Sequence, residues 1–330
     1  MDTTDRAGHQ RLSLEALGTW RDLGLGMFLH FGMSTFDGDE FSRGDRPSST
    51  YAPDRLDVDQ WVGVAADLGC RYAVLTTKHV SGHALWPSAL TDYHVGTSAC
   101  PTDVVEAFVA ACARRGIQPG FYYCSWDNHH LLGSVTPTCG GDWRWKHTSR
   151  AYEDFQMAQL TELAKRYGAP VCWWIDIPSI LSHGFRRDLY QRLAELTPSS
   201  LIMMNGGITD GVDQPRPENW PSDLIAVETR LPPAGAASGD HQGHDPWRTV
   251  LGQRYHLPGE VSDTILAGKW FWTPEARVRP DHDLLGLTLA GRSRGCNVLL
   301  NAPPDRHGRL PDDQVAALRR LRRNLDLVGG

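Results

Sequence analysis

The sequence lacks the features that mark membrane, secreted and nucleic-acid-binding proteins. No stretch approaches 18 continuous apolar residues, and the first twenty residues contain no basic region followed by an apolar one. We therefore expect neither a membrane span nor a secretory signal. The 33 Lys and Arg residues are outnumbered by 39 Asp and Glu residues, for a net charge of -6. Nucleic acid is not expected as a partner, because phosphate binding needs a basic surplus.

Cysteine is present, but in no pattern typical of a disulfide framework or a metal site. The seven cysteines are an odd number, are scattered, and include no C-x-x-C pair, so we expect reduced thiols and a cytoplasmic protein. The chain also has no G-x-G-x-x-G, no G-x-x-x-x-G-K-[ST] and no G-x-S-x-G motif. Neither a nucleotide cofactor nor a serine-hydrolase nucleophile is predicted, and we expect no cofactor at all.

What the chain does have is a regular alternation of apolar strands and helical patterns. Strands that alternate with helices favour parallel βαβ units, and 330 residues suffice for one barrel. We predict a single, somewhat irregular (β/α)8-like barrel over residues 1–330, with a doubly wound sheet as the competing architecture. The eight predicted strands are 27–31, 71–77, 120–123, 171–175, 201–204, 224–227, roughly 269–272, and 297–300.

The barrel is favoured by the side chains that follow these strands. The C-terminal ends of barrel strands are where such enzymes place their reactive groups. Seven of the eight predicted strands end at a chemically capable residue: His30, His79, Tyr123, Asp176, Asn205, Glu228 and Asn301.

Asp176 is the strongest candidate among these residues. It follows the very apolar strand VCWWI, where a carboxylate is costly unless it faces a polar cavity. Glycosyl transfer through a covalent intermediate uses such a carboxylate as the nucleophile, together with a second carboxyl group that donates and then accepts a proton. Glu228 and Glu260 are both candidates for the second group, and the residues alone leave that choice open.

Two histidines at neighbouring strand ends indicate a polar ligand. Neutral imidazoles of His30 and His79 can hydrogen-bond sugar hydroxyls. A metal site formed by His30, His79, His83 and Asp176 is the alternative. The chain has no H-x-H after the first strand and no H-E-x-x-H motif, so we expect no metal.

Several segments together resemble the α-L-fucosidase family of glycoside hydrolases. They are MFLHFG, RYAVLTTKHVSGHALWPS, YYCSWDNHH, WWID, LPGEVSDTILAGKWFW and GCNVLLNAPPDRHGRLP. The resemblance implies an irregular barrel, here without the C-terminal β-sandwich that many members carry. It implies Asp176 as nucleophile, Glu260 as acid/base by analogy with one branch, and Glu228 by analogy with another. The substrate contacts it implies, together with those expected from pocket shape, are His30, Glu40, His79, Trp86, Tyr123, Trp126, Trp174 and Asn205.

Departures from the family pattern point to an altered sugar. Val80 and Ser81 stand where the family has His and Asp, Ile177 stands for a Gly after the nucleophile, and Gly206 stands for an Arg. We therefore predict a retaining exo-glycosidase for an α-linked L-fucose-like or other deoxysugar, in an oligosaccharide or small-molecule glycoside. The alternatives are a silent carbohydrate-binding homologue, or the same pocket used on a non-fucose glycoside or a non-glycosidic substrate. The sequence leaves open whether the protein forms a homo-oligomer.

Overall fold

The computed structural model describes residues 8–134, 148–205, 219–231 and 245–328. The strands are β1 (Leu25–Leu29), β2 (Tyr72–Lys78), β3 (Gln118–Cys124), β4 (Cys172–Asp176), β5 (Leu201–Met204), β6 (Ile225–Glu228), β7 (Trp247–Val250), β8 (Gln253–His256), β9 (Gly259–Thr264) and β10 (Asn297–Asn301). Eight of them are parallel and form one sheet, whose order β5-β4-β3-β2-β1-β10-β9-β6 follows the chain once around a barrel. A separate two-stranded antiparallel hairpin, β7-β8, is inserted between the sixth and seventh barrel strands.

Helices connect most of the barrel strands. The described residues between β5 and β6 and between β6 and β9 contain no α-helix. The β7-β8 hairpin inserted between β6 and β9 makes the barrel irregular, as predicted. No helix in the described ranges has the length and apolarity needed to cross a membrane. The helices are α1 (Leu14–Arg21), α2 (Met33–Asp37), α3 (Val58–Leu68), α4 (Val104–Arg115), α5 (Arg150–Tyr167), α6 (His183–Leu196), α7 (Asp281–Ser293) and α8 (Asp312–Val328).

Local capping explains where helices α3 and α4 begin and end. The Asp57 side chain accepts a hydrogen bond from the Gln60 amide at the start of α3, and Asp103 caps α4 in the same way. Gly69 and Gly116 end these helices in the left-handed conformation, which costs glycine nothing. Gly69 and Gly116 therefore separate each helix from the strand that follows it.

The barrel closes between β5 and β6 through side chains as well as backbone. The Asp223 amide donates to the Ile202 carbonyl at 2.7 Å, and the Asp223 carboxylate accepts from the Ile202 amide at 2.9 Å. The Ser222 hydroxyl accepts from the Met204 amide at 3.2 Å. This seam places the end of β5 beside the end of β6, which matters for the carboxylates that follow those strands.

Side chains of each strand alternate between two apolar layers. One face packs outward on the helices, and the other fills the barrel interior with residues such as Phe28, Tyr122 and Trp174. Leu17 and Trp20 of α1 belong to the same inner cluster. Because inward positions recur every second residue, Trp174 and Asp176 lie on the same side of β4.

One predicted strand is wrong. The seventh barrel strand is β9, and residues 269–272 lie in the connection that follows it. The β9 sequence, GEVSDT, places Glu260 and Ser262 inward, so β9 is not the apolar run by which strands were predicted.

The six described cysteines are free thiols, and Cys139 lies outside the described residues.

Candidate active site

The C-terminal ends of the barrel strands surround an open cavity. Acidic, imidazole and aromatic side chains line it together. The lining residues are Phe28, His30, Glu40, His79, Tyr122, Trp174, Asp176, Glu228 and Trp270.

Asp176 is held in one orientation by three donors. The Tyr122 hydroxyl donates to Oδ2 at 2.6 Å, and the Asn205 side-chain amide donates to Oδ1 at 2.7 Å. The Ile177 backbone amide also donates to Oδ1, at 2.9 Å. Burial raises the pKa of Asp176 above its usual value, while these hydrogen bonds oppose that shift. The carboxylate is therefore oriented and stabilised in its charged form.

Glu228 is the second carboxyl group beside Asp176. The Asn205 amide nitrogen that bonds Asp176 at 2.7 Å also donates to Glu228 Oε2 at 2.8 Å. Because both oxygens touch one nitrogen, they lie at most about 5.5 Å apart, the sum of the two distances. Burial, and then the neighbouring Asp176 charge, raise the pKa of Glu228 to about 7. The site thus pairs an oriented carboxylate with a carboxyl group that holds a proton near neutrality.

The backbone is strained directly after both carboxylates. Ile177 follows Asp176 with φ of 48°, and Thr229 follows Glu228 with φ of 55°. The left-handed conformation is unfavourable for β-branched residues, and such strain clusters at functional sites. In both strands the strained turn comes immediately after the carboxylate that lines the cavity.

The remaining polar groups of the lining differ in charge state. Burial, and then the Asp176 charge, raise the pKa of Glu40 to about 7. Burial lowers the pKa of His30 to about 3 and that of His79 well below its usual value, so both imidazoles are neutral. The Tyr122 and Trp174 rings stack at 5.5 Å between centroids. Such a cavity offers hydrogen-bond acceptors around an aromatic wall, the combination that a sugar ring requires.

The structure corrects the choice of tyrosine on β3. Tyr122 pairs with Trp174 in register and faces the interior, whereas Tyr123 pairs with Ile175 and faces outward. The Tyr123 hydroxyl donates to Gln159 at 2.8 Å in the outer layer. Tyr122, and not the predicted Tyr123, therefore lines the cavity.

Glu260 does not line the cavity, so its predicted acid/base function has no support in the geometry. It lies near the start of β9, paired with Asn297 and Ala226, and is fully buried in the barrel interior. Its two oxygens accept from the Tyr72 hydroxyl at 2.7 Å and the Trp174 indole at 2.9 Å. Glu260 therefore contacts the back of a cavity-lining tryptophan.

Trp86 and Trp126 also lie outside the lining. The Trp86 indole donates to Glu162 at 2.8 Å, and the Trp126 indole donates to Asn128 at 2.7 Å. Both rings are fully buried. Neither tryptophan lines the cavity that its predicted substrate contact requires, whereas Phe28, Tyr122 and Trp270 line it without having been predicted.

The predicted metal alternative finds no support among the described residues. His30 and His79 face the cavity, but the His83 ring is hydrogen-bonded to the Ser48 hydroxyl at 2.9 Å. No group of three or more His, Cys, Asp or Glu side chains in the described ranges could hold a metal ion.

Comparison with known proteins identifies the family. The sequence model described as alpha-L-fucosidase matches residues 45–329. The chain belongs to the α-L-fucosidase family. It is 29% identical to Alpha-L-fucosidase 1 of Arabidopsis thaliana over 316 residues, which cover 91% of this chain and 57% of that protein. The chain thus spans little more than half the length of this curated relative.

Solved α-L-fucosidase structures share the fold. A putative α-L-fucosidase from Bacteroides thetaiotaomicron superposes with a TM-score of 0.74 at 26% identity, covering 97% of this chain and 69% of that one. Isoenzyme 1 from Paenibacillus thiaminolyticus gives a TM-score of 0.78 at 24% identity, covering 96% and 76%. The (β/α)8 barrel predicted from the sequence is confirmed.

The departures from the α-L-fucosidase pattern can be placed in part. The Val80 side chain is fully buried in the inner apolar cluster and, being a hydrocarbon, cannot form a hydrogen bond. Ile177 adopts the left-handed conformation that the family's glycine would adopt without strain. Gly206 lies outside the described residues. Position 80 therefore offers no polar side chain, whereas Asp176 and Glu228 both line the cavity.

We expect Tyr122→Phe to move the acidic limb of the kcat/KM profile to higher pH. The Tyr122 hydroxyl stabilises the charged form of Asp176, so its loss raises the pKa of that carboxyl group further. The control is Tyr123→Phe, which removes the same atom one residue away on the outer face. Equal shifts for the two variants, measured with an aryl fucoside, would contradict this interpretation.

We expect Glu260→Gln to flatten the dependence of stability on pH. Burial raises the pKa of folded Glu260 to about 7, against 4.5 for an exposed group. The stability contributed by its proton is therefore present below pH 4.5 and is lost as pH rises to 7, by about 3 kcal/mol. Urea unfolding of wild type and variant across this range measures the difference. Exposed Glu195→Gln is the control, and an unchanged slope in Glu260→Gln contradicts the expectation.

Proposed function

We propose that this chain is a retaining glycoside hydrolase acting on α-linked L-fucose or a closely related deoxysugar. The observation that carries the proposal is the Asp176–Glu228 pair, in which Asp176 Oδ1 and Glu228 Oε2 both accept from one Asn205 nitrogen and lie at most about 5.5 Å apart. Retaining glycosidases place their two carboxyl groups about 5 to 5.5 Å apart, whereas inverting enzymes need about 6.5 to 9.5 Å. Membership of the α-L-fucosidase family supports the choice of sugar.

In the first step, Asp176 attacks the anomeric carbon and the bond to the leaving oxygen breaks. Glu228, whose pKa is about 7, gives its proton to that oxygen, so the aglycone leaves as a neutral alcohol. The product is a glycosyl ester of Asp176. The Tyr122 and Asn205 donors orient the attacking oxygens throughout.

In the second step, Glu228 acts as the base. Its carboxylate takes a proton from water as the water oxygen attacks the anomeric carbon, and the bond to Asp176 breaks. Asp176 leaves as a carboxylate, and Glu228 regains the proton with which it began. Two inversions at one carbon return the sugar with its original configuration.

The other lining residues hold the sugar. His30, His79 and Glu40 provide polar atoms, and the Trp174 and Trp270 rings provide apolar surface for the C–H face of the ring. The Val80 side chain cannot form a hydrogen bond. The preferred sugar is therefore either L-fucose bound without a contact at this position, or a related deoxysugar that does not need one.

The test is hydrolysis of a panel of aryl α- and β-glycosides, led by the α-L-fucoside, with the first-formed anomer identified by NMR. We expect turnover of an α-L-fucoside or a related deoxysugar, with the α-anomer released first. Release of the β-anomer contradicts the retaining mechanism. Sugar binding without turnover of any panel member favours the silent carbohydrate-binding alternative.

A further inference from the structure

Asn301, at the end of β10, contacts two residues of the cavity lining, His30 and Trp270, and also Thr264 of β9. Its Oδ1 lies 3.3 Å from the His30 backbone nitrogen and 2.9 Å from His30 Nδ1. Its Nδ2 lies 2.7 Å from the Trp270 carbonyl and 3.3 Å from the Thr264 hydroxyl. The side chain is fully buried, so these contacts account for its donors and acceptor.

The orientation of this amide follows from its partners. A backbone carbonyl only accepts, so the nitrogen of Asn301 faces Trp270. A backbone amide only donates, so the oxygen of Asn301 faces His30. The same oxygen is the partner of His30 Nδ1, and two acceptors cannot share a hydrogen bond. Nδ1 of His30 therefore carries the proton.

The other ring nitrogen of His30 must then be an acceptor. A neutral imidazole protonated at Nδ1 has a lone pair at Nε2, and burial keeps His30 neutral with a pKa of about 3. Within the described part of the chain, Nε2 makes no hydrogen bond. The groups around the ring are mainly aromatic, with Trp270 at 5.0 Å and Phe271 at 5.3 Å between centroids. The partner that Nε2 lacks is left for the ligand.

We propose that Asn301 fixes His30 in the Nδ1–H tautomer, so that His30 Nε2 accepts a hydrogen bond and selects sugars with a donor at the facing position. A hydroxyl or an amino group satisfies this lone pair. A fluorine or an O-methyl group at the same position presents only a second acceptor and is rejected. Asn301 is thus a positioning residue acting through His30. The nature of the ligand rests on the proposed function, but the tautomer does not.

The tautomer is tested first, without any substrate, by ring-nitrogen NMR of protein labelled with ¹⁵N-histidine. The His30 signals are assigned with a His30→Gln variant. We expect a protonated Nδ1 and an unprotonated Nε2 at pH 7. A His30 ring protonated at Nε2 overturns the proposal.

Asn301→Leu and Asn297→Leu form a matched pair for this measurement. Both asparagines are fully buried on β10, but the Asn297 amide contacts Trp20 and Gly24 near the start of the strand. We expect the Nε2–H form of His30 to appear in Asn301→Leu alone. The wild-type spectrum decides the question even if Asn301→Leu does not fold.

Selectivity is tested by binding, so that effects of fluorine on glycosyl transfer do not enter. The probes are L-fucose and its monodeoxy, monodeoxyfluoro and mono-O-methyl derivatives, with dissociation constants measured by calorimetry. At one ring position we expect the deoxy, fluoro and O-methyl forms to bind about 10- to 100-fold more weakly than L-fucose, and His30→Phe to abolish that difference. Fluorine that restores binding at the His30-dependent position shows that His30 donates, which overturns the proposal. Failure of L-fucose to bind counts against the proposed function and leaves the NMR result standing.

Discussion

Asp176→Ala is expected to lower kcat/KM for an aryl α-L-fucoside by about 10⁴-fold or more, the scale seen when a nucleophile is removed from an enzyme. The carboxylate is held by Tyr122, Asn205 and the Ile177 amide, and no other described lining residue is positioned in this way. Asp59→Asn is the control. Asp59 is ion-paired with Arg114 at 2.8 Å and is not part of the lining, so activity should stay within a few-fold of wild type.

Azide should restore turnover of Asp176→Ala with a defined stereochemistry. The small anion enters the space that the carboxylate leaves and attacks the face Asp176 would attack. One inversion converts the α-fucoside into a β-fucosyl azide, which NMR identifies. An Asp176→Ala enzyme with nearly wild-type activity, or one whose azide product has the α configuration, contradicts the assignment.

Glu228→Gln is expected to lower kcat by about 10²- to 10⁴-fold for substrates with a poor leaving group, the usual range for general acid catalysis. For a dinitrophenyl fucoside, whose dinitrophenolate leaves without needing a proton, the rate of the first step should fall much less. Glu260→Gln is the matched control. The pKa of the Glu260 carboxyl group in the wild type is also about 7, but Glu260 lies behind Trp174 and not in the cavity lining. Equal losses in the two variants would show that burial of a carboxyl group, rather than its place in the site, matters.

The pH profile should report the proton on Glu228. The first step needs its protonated form, so kcat/KM should fall as pH rises through about 7. This basic limb should vanish in Glu228→Gln and persist in Glu260→Gln. Burial also raises the pKa of Glu40 to about 7, and persistence of the limb in Glu228→Gln would assign it to Glu40 instead.

With Glu228→Ala, azide enters after the glycosyl ester has formed and should give the α-azide.

The residues that the sequence places correctly share one property. His30, His79, Asp176 and Glu228 each come at the end of a predicted strand, and parallel strands bring these ends to one rim. Their convergence needs only the order of the elements. Neither an exact register nor a loop conformation has to be known.

The errors arise where the outcome depends on which of two neighbouring residues faces the barrel interior, or on where a strand lies in the sequence. Tyr122 and Tyr123 are equally apolar neighbours, and only their register with Trp174 and Ile175 shows which one faces inward. Glu260 could be placed at the rim only while the seventh strand was assigned to 269–272. Once β9 is known to be Gly259–Thr264, Glu260 falls at its opposite end. Trp270 was missed because it lies on the connection after that strand, where no periodicity predicts a side chain's direction.

The most direct test of the central claim is to find where a trapped sugar is attached. A 2-deoxy-2-fluoro-L-fucosyl fluoride should react with the wild-type protein and leave a stable ester. The fluorine at C2 slows both steps, but the anomeric fluoride is a good leaving group, so the glycosyl ester forms faster than it is hydrolysed. The account predicts one fluorofucosyl group per chain, on the peptide that contains Asp176, and no label in Asp176→Asn. A stable adduct on Glu228, Glu40 or any other side chain, or turnover of fucosides with release of the β-anomer and no adduct, would contradict it.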